Sequence, residues 1–222
     1  MTKRYTPIGF VSIAGLFIFA LQGCHPMQPP AKEPDSYTFI LGPKPELTDG
    51  FDERVDIKMP AKYISPSPTF SIKQAIELGQ FTFSVRFPHG DPVPKNQLST
   101  PNVVIVSAIW ERSGSVKRRV DGTWNNHYSR YLKSGSNIYG LEERYTPEAG
   151  NDSKLFVSPD YNTLIECVHM VVNAPMMCKL IHDRGGNLVN QALFYPDLLP
   201  KWREIISMSE RLVSDVESHR GN

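Results

Sequence analysis

From Gln80 to Phe87 the chain alternates apolar and polar side chains at period two, with Phe81, Phe83, Val85 and Phe87 on one side and Gln80, Thr82, Ser84 and Arg86 on the other. Only an extended backbone sends every second side chain to one face, so this segment reads as a half-buried strand, stopped by Pro88. Val103 to Trp110 is a continuous apolar run and the best candidate for a central strand. A turn at Ser113-Gly114 leads to a shorter strand near Val116 to Val120. Ile138 to Tyr145, Lys154 to Ser158, Asn162 to Val171 and Leu188 to Tyr195 read as further strands. Short strands separated by turns favour an antiparallel sheet. Ser71 to Gly79 could form a short helical turn, capped by Ser71 and ended by Gly79. The tail changes period: from Pro196 to Val216, Leu198, Trp202, Ile205, Leu212 and Val216 fall on one helical face, with Ser209 in the remaining slot. Asp197 can cap this helix, and Pro200 is tolerated in a first turn. The expected fold is therefore α+β, mainly antiparallel β-sheet with an amphipathic C-terminal helix packed on it.

The N-terminus is built differently. Lys3 and Arg4 precede an uncharged apolar run of 13 residues, Gly9 to Leu21. A run of this length suits the apolar region of an export signal and falls short of the roughly 20 residues of a spanning helix. It ends in Leu21, Gln22, Gly23 and Cys24, which resembles the lipobox of bacterial lipoprotein precursors. That resemblance implies cleavage before Cys24 and lipidation of its sulfur. Two or more acyl chains make such an anchor stable, where one holds only marginally. His25, in place of Asp after the cysteine, implies sorting to the inner leaflet of the outer membrane, facing the periplasm.

Residues 1–23 are then a signal peptide, residues 24–36 a lipidated cysteine with a proline-rich tether, and residues 37–222 a single globular α+β domain. Pro26, Pro29, Pro30 and Pro34 keep the tether extended. Losing residues 1–23 removes Lys3 and Arg4 from the 24 basic residues and none of the 23 acidic ones, leaving a net charge of −1. Such a balance steers the protein neither to nucleic acid nor to an anionic bilayer. Once Cys24 is spent on lipid, Cys167 and Cys178 remain as an even pair in an oxidising compartment, and a disulfide is expected.

The motifs of several enzyme classes are missing: Gly-x-Ser-x-Gly, His-Glu-x-x-His and the phosphate-binding loop do not occur. Cys167, His169, Cys178 and His182 could in principle bind zinc, but their spacing matches no standard module, so no metal and no cofactor are expected. His182-Asp183 has no accompanying nucleophile and reads as the approach to a turn. Glu142 and Glu143 are neighbours on a strand and face opposite sides, which suits a solvated edge better than a catalytic pair. Lys117, Arg118 and Arg119 form a basic run that either protects a sheet edge or meets an acidic partner. The aromatic stretch after it, with Trp124, His127, Tyr128, Arg130 and Tyr131, is either a binding surface or a set of core plugs.

The last third of the chain combines Ile138 to Leu141 (Ile-Tyr-Gly-Leu), a strand ending in Ile165-Glu166-Cys167, an Asn-Ala-Pro loop before Cys178, and Leu198 to Ile205 (Leu-Leu-Pro-Lys-Trp-Arg-Glu-Ile). Over residues 137–216, together with the lipobox, it resembles the immunity lipoproteins encoded beside type VI secretion phospholipase effectors. The resemblance implies a non-enzymatic, periplasmic, lipid-anchored protein whose partner is a cognate toxin, a lipase. Its candidate partner-binding residues are Lys117, Arg118, Arg119, Trp124, His127, Tyr128, Arg130 and Tyr131. The alternative is a structural or assembly lipoprotein of an envelope machine with no toxin-neutralising role.

Overall fold

A computed structural model describes residues 36–42, 55–60, 63, 80–94, 97, 100–111, 114–123, 127–146, 153–169, 175–185 and 188–218. Residues 1–35, which hold the expected signal peptide, Cys24 and all of the expected tether but Ser36, lie outside them, as do residues 71–79, where a helical turn is expected, and Trp124. The described elements in chain order are β1 (Ser36–Leu41), β2 (Val55–Pro60), β3 (Gln80–Arg86), β4 (Asp91–Pro92), β5 (Val103–Trp110), α1 (Ser115–Val120), β6 (Leu132–Ile138), β7 (Leu141–Tyr145), β8 (Ser153–Val157), β9 (Thr163–His169), β10 (Met176–Gly185), β11 (Leu188–Phe194), a 3₁₀ segment (Pro196–Lys201), α2 (Trp202–Val216) and β12 (Glu217–Ser218).

Nine strands form one antiparallel sheet in the order β4-β3-β5-β11-β10-β9-β8-β7-β6, and a smaller sheet has the order β1-β2-β12. In β3, Phe81, Phe83 and Val85 are buried while Gln80, Thr82 and Ser84 are half-buried, as the period-two pattern requires. Across the second face, Thr82 and Ser107 hydroxyls bond at 2.8 Å. The larger core takes Phe81, Phe83, Val104, Val106, Leu180 and Phe194 from one face of the large sheet, Ile57 and Met59 from the small one, and the apolar stripe of α2. That stripe holds Trp202, Ile205, Leu212 and Val216 as expected, widened by Ile206, Met208 and Val213. Ser209, also buried, donates its hydroxyl to the Ile205 carbonyl at 2.7 Å, so no polar group is stranded in the stripe.

Four expectations need correction. β5 is interior, between β3 and β11, as its apolar run predicts, but the middle strand of nine is β10, where no strand is expected from the sequence. Its Lys179, His182, Asp183 and Arg184 hid it, because an apolar run is not needed where the two faces are covered unequally. Val116 to Val120 lies in a helix rather than a strand. Gly114 takes a left-handed conformation (φ 76°) at its start, and Gly114 and Ser115 N–H groups donate to the Asp183 carboxylate, the second at 3.2 Å. Ile138 to Tyr145 is a hairpin turn plus β7, with positive φ at Tyr139 and Gly140, and the polar stretch before it forms the exposed edge strand β6. The C-terminal helix begins at Trp202; Asp197 does not cap it, and residues 196–201 wind as a 3₁₀ segment containing Pro196 and Pro200. Each proline lacks an N–H, and each restricts the residue before it.

Cys167 and Cys178 stand directly opposite each other on β9 and β10 and are joined by a disulfide with a Cα–Cα distance of 4.0 Å. Both are buried in the larger core.

Candidate partner-binding surface

The described residues of the stretch from Lys117 to Tyr131, 117–123 and 127–131, lie on the face of the large sheet opposite α2. Antiparallel partners share a face, so Leu155, Leu164, Ile181 and Val189 point together away from α2. Over them sits a second core with Val116 and Val120 from α1 and with Tyr128 and Tyr131. The spacing of Val116 and Val120 is one helical turn, which is how a six-residue helix can bury both.

Tyr128 and Tyr131 are each only 4% exposed. They are core plugs, and the open choice left by the sequence closes for these two residues. Lys117, His127 and Arg130 are exposed, and Arg118 and Arg119 are half-buried. The exposed rim is thus Lys117, His127 and Arg130, with Arg118 half-buried beside them, carried on a ridge that the tyrosines hold down.

Polar contacts fix the ridge in place. The Tyr131 hydroxyl donates to Glu166 at 2.9 Å and accepts from Ser153 at 2.5 Å. His127 Nε2 donates to the same Glu166 oxygen at 2.7 Å. Its Nδ1 lies 3.5 Å from the Arg130 guanidinium, which can only donate, so the two contacts together select the Nε2–H tautomer. Arg119 pairs with the buried Glu111, and Lys117 pairs with Asp121 one turn on at 2.7 Å. Burial, with Glu166 nearby, raises the Tyr128 phenol well above its ordinary range. Burial and then the Arg119 charge lower the Lys179 ammonium. Glu166, buried, and Lys179, half-buried, are cross-strand partners, so opposite charges stand side by side under the ridge.

The other candidates separate in space. Glu142 is bonded by Lys133 and Arg144, both at 2.7 Å, and Glu143 by Lys154 at 3.1 Å, on the opposite face. His182 Nδ1 meets the Thr163 hydroxyl at 2.8 Å, and Asp183 is engaged by α1. Among the described residues no cluster of three or more His, Cys, Asp or Glu could hold a metal ion.

Sequence reading missed one group. The large apolar side chains that stay exposed among the described residues are Leu132, Tyr139 and Tyr145, and all three belong to the β6–β7 hairpin. Tyr139-Gly140 was the available signal, since Gly at the second position of a two-residue turn marks a hairpin.

No family model matches the chain, and no curated protein matches it. A solved structure does: an immunity protein of the Stenotrophomonas maltophilia type IV secretion system, with a TM-score of 0.52 and 11% sequence identity. The two folds are alike. The match spans 74% of this chain and 90% of the other, so the likeness takes in nearly all of the immunity protein. At this identity it is a likeness of fold.

Proposed function

We propose that this chain is an immunity protein, lipid-anchored in the periplasm, that binds a toxin delivered by a secretion system and neutralises it. The observation that carries the reading is the fold shared with the type IV secretion immunity protein over 90% of that protein's length. Two others support it. The Lys117–Tyr131 ridge is tied down by Glu166, Ser153 and Glu111, which suits a preorganised docking surface. The lipobox-like Leu21 to Cys24 would hold the domain where a toxin crossing the envelope arrives and raise its effective concentration there.

The finer reading concerns the toxin. The last third of the chain resembles immunity lipoproteins of type VI phospholipase effectors, and a membrane-attacking enzyme makes a membrane-tethered inhibitor useful. We therefore name an antibacterial phospholipase as the cognate toxin. The test is co-expression with the protein encoded by the adjacent gene, directed to the periplasm. Rescue of growth, and binding of the two purified proteins, are the expected results. Growth arrest without rescue, together with no binding, would reject the immunity role and leave the envelope-assembly reading. Rescue from a neighbour without lipase activity would reject only the phospholipase.

A further inference from the structure

The tip of the β6–β7 hairpin carries a side chain that the turn itself does not want. Ile138 and Leu141 pair across the hairpin, so Tyr139 and Gly140 are its two turn residues, with φ of 54° and 79°. Positive φ at both positions suits Asn, Asp or Gly first and Gly second. A bulky aromatic in the first position is an outlier. Among the described residues Tyr161 is the other non-glycine residue with positive φ, at 57°. Tyr161 is half-buried and packs against the second core, which offsets its backbone cost. Tyr139 has no such offset, because it is 50% exposed.

The backbone of the tip is held from beneath. Trp202 Nε1 donates to the Tyr139 carbonyl at 3.0 Å, and the Arg203 guanidinium donates to the same oxygen at 3.4 Å. Arg203 also lies over the Trp202 ring, 4.2 Å from its centroid. Strain of this kind persists where the surroundings enforce it, and it concentrates where function needs the side chain. Arg203 is exposed, and among the described residues no carboxylate pairs with it, whereas Lys201 beside it is paired with Glu204.

We propose that Tyr139 is a binding anchor: a preorganised aromatic knob, flanked by Arg203, that inserts into a concave pocket with a carboxylate rim on the toxin. The proposal rests on the immunity reading and adds to it the anchor residue and the chemistry of the partner's site. Tyr and Arg are the residue types favoured at binding hot spots. A tip already pinned by Trp202 loses little freedom on docking. An exposed guanidinium beside the knob is complementary to an acidic rim.

The experiment separates the knob from the turn. Tyr139→Asn places the preferred residue at the turn and removes the ring. The expected result is a Tm raised by ~2–4 °C with affinity for the purified product of the adjacent gene lowered at least about 30-fold. Arg203→Glu should slow association about tenfold at low salt and flatten its salt dependence. If wild-type protein binds and Tyr139→Asn binds within threefold of it, the anchor is refuted. Lost binding together with a lower Tm would make Tyr139 a structural residue and also overturn the proposal. An unchanged association rate for Arg203→Glu would refute the acidic rim. If wild-type protein itself fails to bind, the immunity reading falls and the anchor with it.

Discussion

Asp183 ends the regular pairing of β10 and starts α1, a helix 68 residues earlier in the chain. Its carboxylate accepts the N–H groups of Gly114 and Ser115, and its other oxygen accepts the Gly185 N–H at 2.9 Å. It therefore supplies in trans the cap that no residue near Gly114 supplies. Asp183→Ala should lower stability by about 1–2 kcal/mol in urea unfolding, the usual cost of losing a cap. Asp183→Asn, which keeps one acceptor oxygen, should lose clearly less; equal losses would show that the cap is not what Asp183 contributes. Tyr128 makes a prediction about pH. Its folded-state phenol is raised above the ordinary 10.0, by burial first and the Glu166 charge second. Above pH 10 the unfolded chain gives up this proton while the folded chain keeps it. The folded state then binds more protons, and stability falls as pH rises. Lys179, lowered by burial, acts with the opposite sign below its ordinary 10.5. The comparison of wild type with Tyr128→Phe isolates the phenol: the variant's urea midpoint should decline less steeply between pH 9 and 11, and parallel curves would contradict the assignment.

Among the elements, the β9–β10 ladder is both the middle of the sheet and its covalent staple. Cys167 and Cys178 are 11 positions apart, and closing a loop of that length restricts the unfolded chain by ~3 kcal/mol in the chain-entropy model. The double variant Cys167→Ala/Cys178→Ala should lose roughly that much, read as the shift in urea midpoint. Non-reducing peptide mass spectrometry should recover the two cysteine peptides linked; two free thiols would count against the pairing. The edge element β6 is exposed from Leu132 through Asn137. Its register with β7 shifts between Lys133 and Asn137, where Gly135 takes φ 81°. A bulge with a lysine beside it is a recognised way of keeping a sheet edge from pairing with other chains. This edge is closed to casual strand addition, and the exposed aromatics stand beside it, Tyr139 in the turn that follows and Tyr145 opposite Leu132 on β7.

For the whole molecule, the anchor and the fold make separate claims. Cys24→Ala should leave the precursor unlabelled by a fatty-acid probe and should weaken protection in cells while leaving binding by the purified protein intact; persistent labelling would reject lipidation at Cys24. Several features were legible from the chain alone because their causes are local. Period-two alternation set β3, a run of eight apolar residues set β5, a helical stripe set α2, and two cysteines left over for each other set the disulfide. What the chain alone could not show depends on partners distant in sequence. Val116 to Val120 became a helix because Asp183 caps it, and Tyr128 and Tyr131 became core because Leu155, Leu164 and Ile181 rise beneath them. β10 took the middle of the sheet despite Lys179, His182, Asp183 and Arg184 along its length, since β9 and β11 flank it. Tyr139 was held at an exposed, strained tip because Trp202 and Arg203 reach its carbonyl from 63 and 64 residues away. Periodicity and cysteine count record what each segment wants from solvent and from its own backbone. Which buried charge meets which donor, and which aromatic stays outside, is decided only when the sheet has brought those segments together.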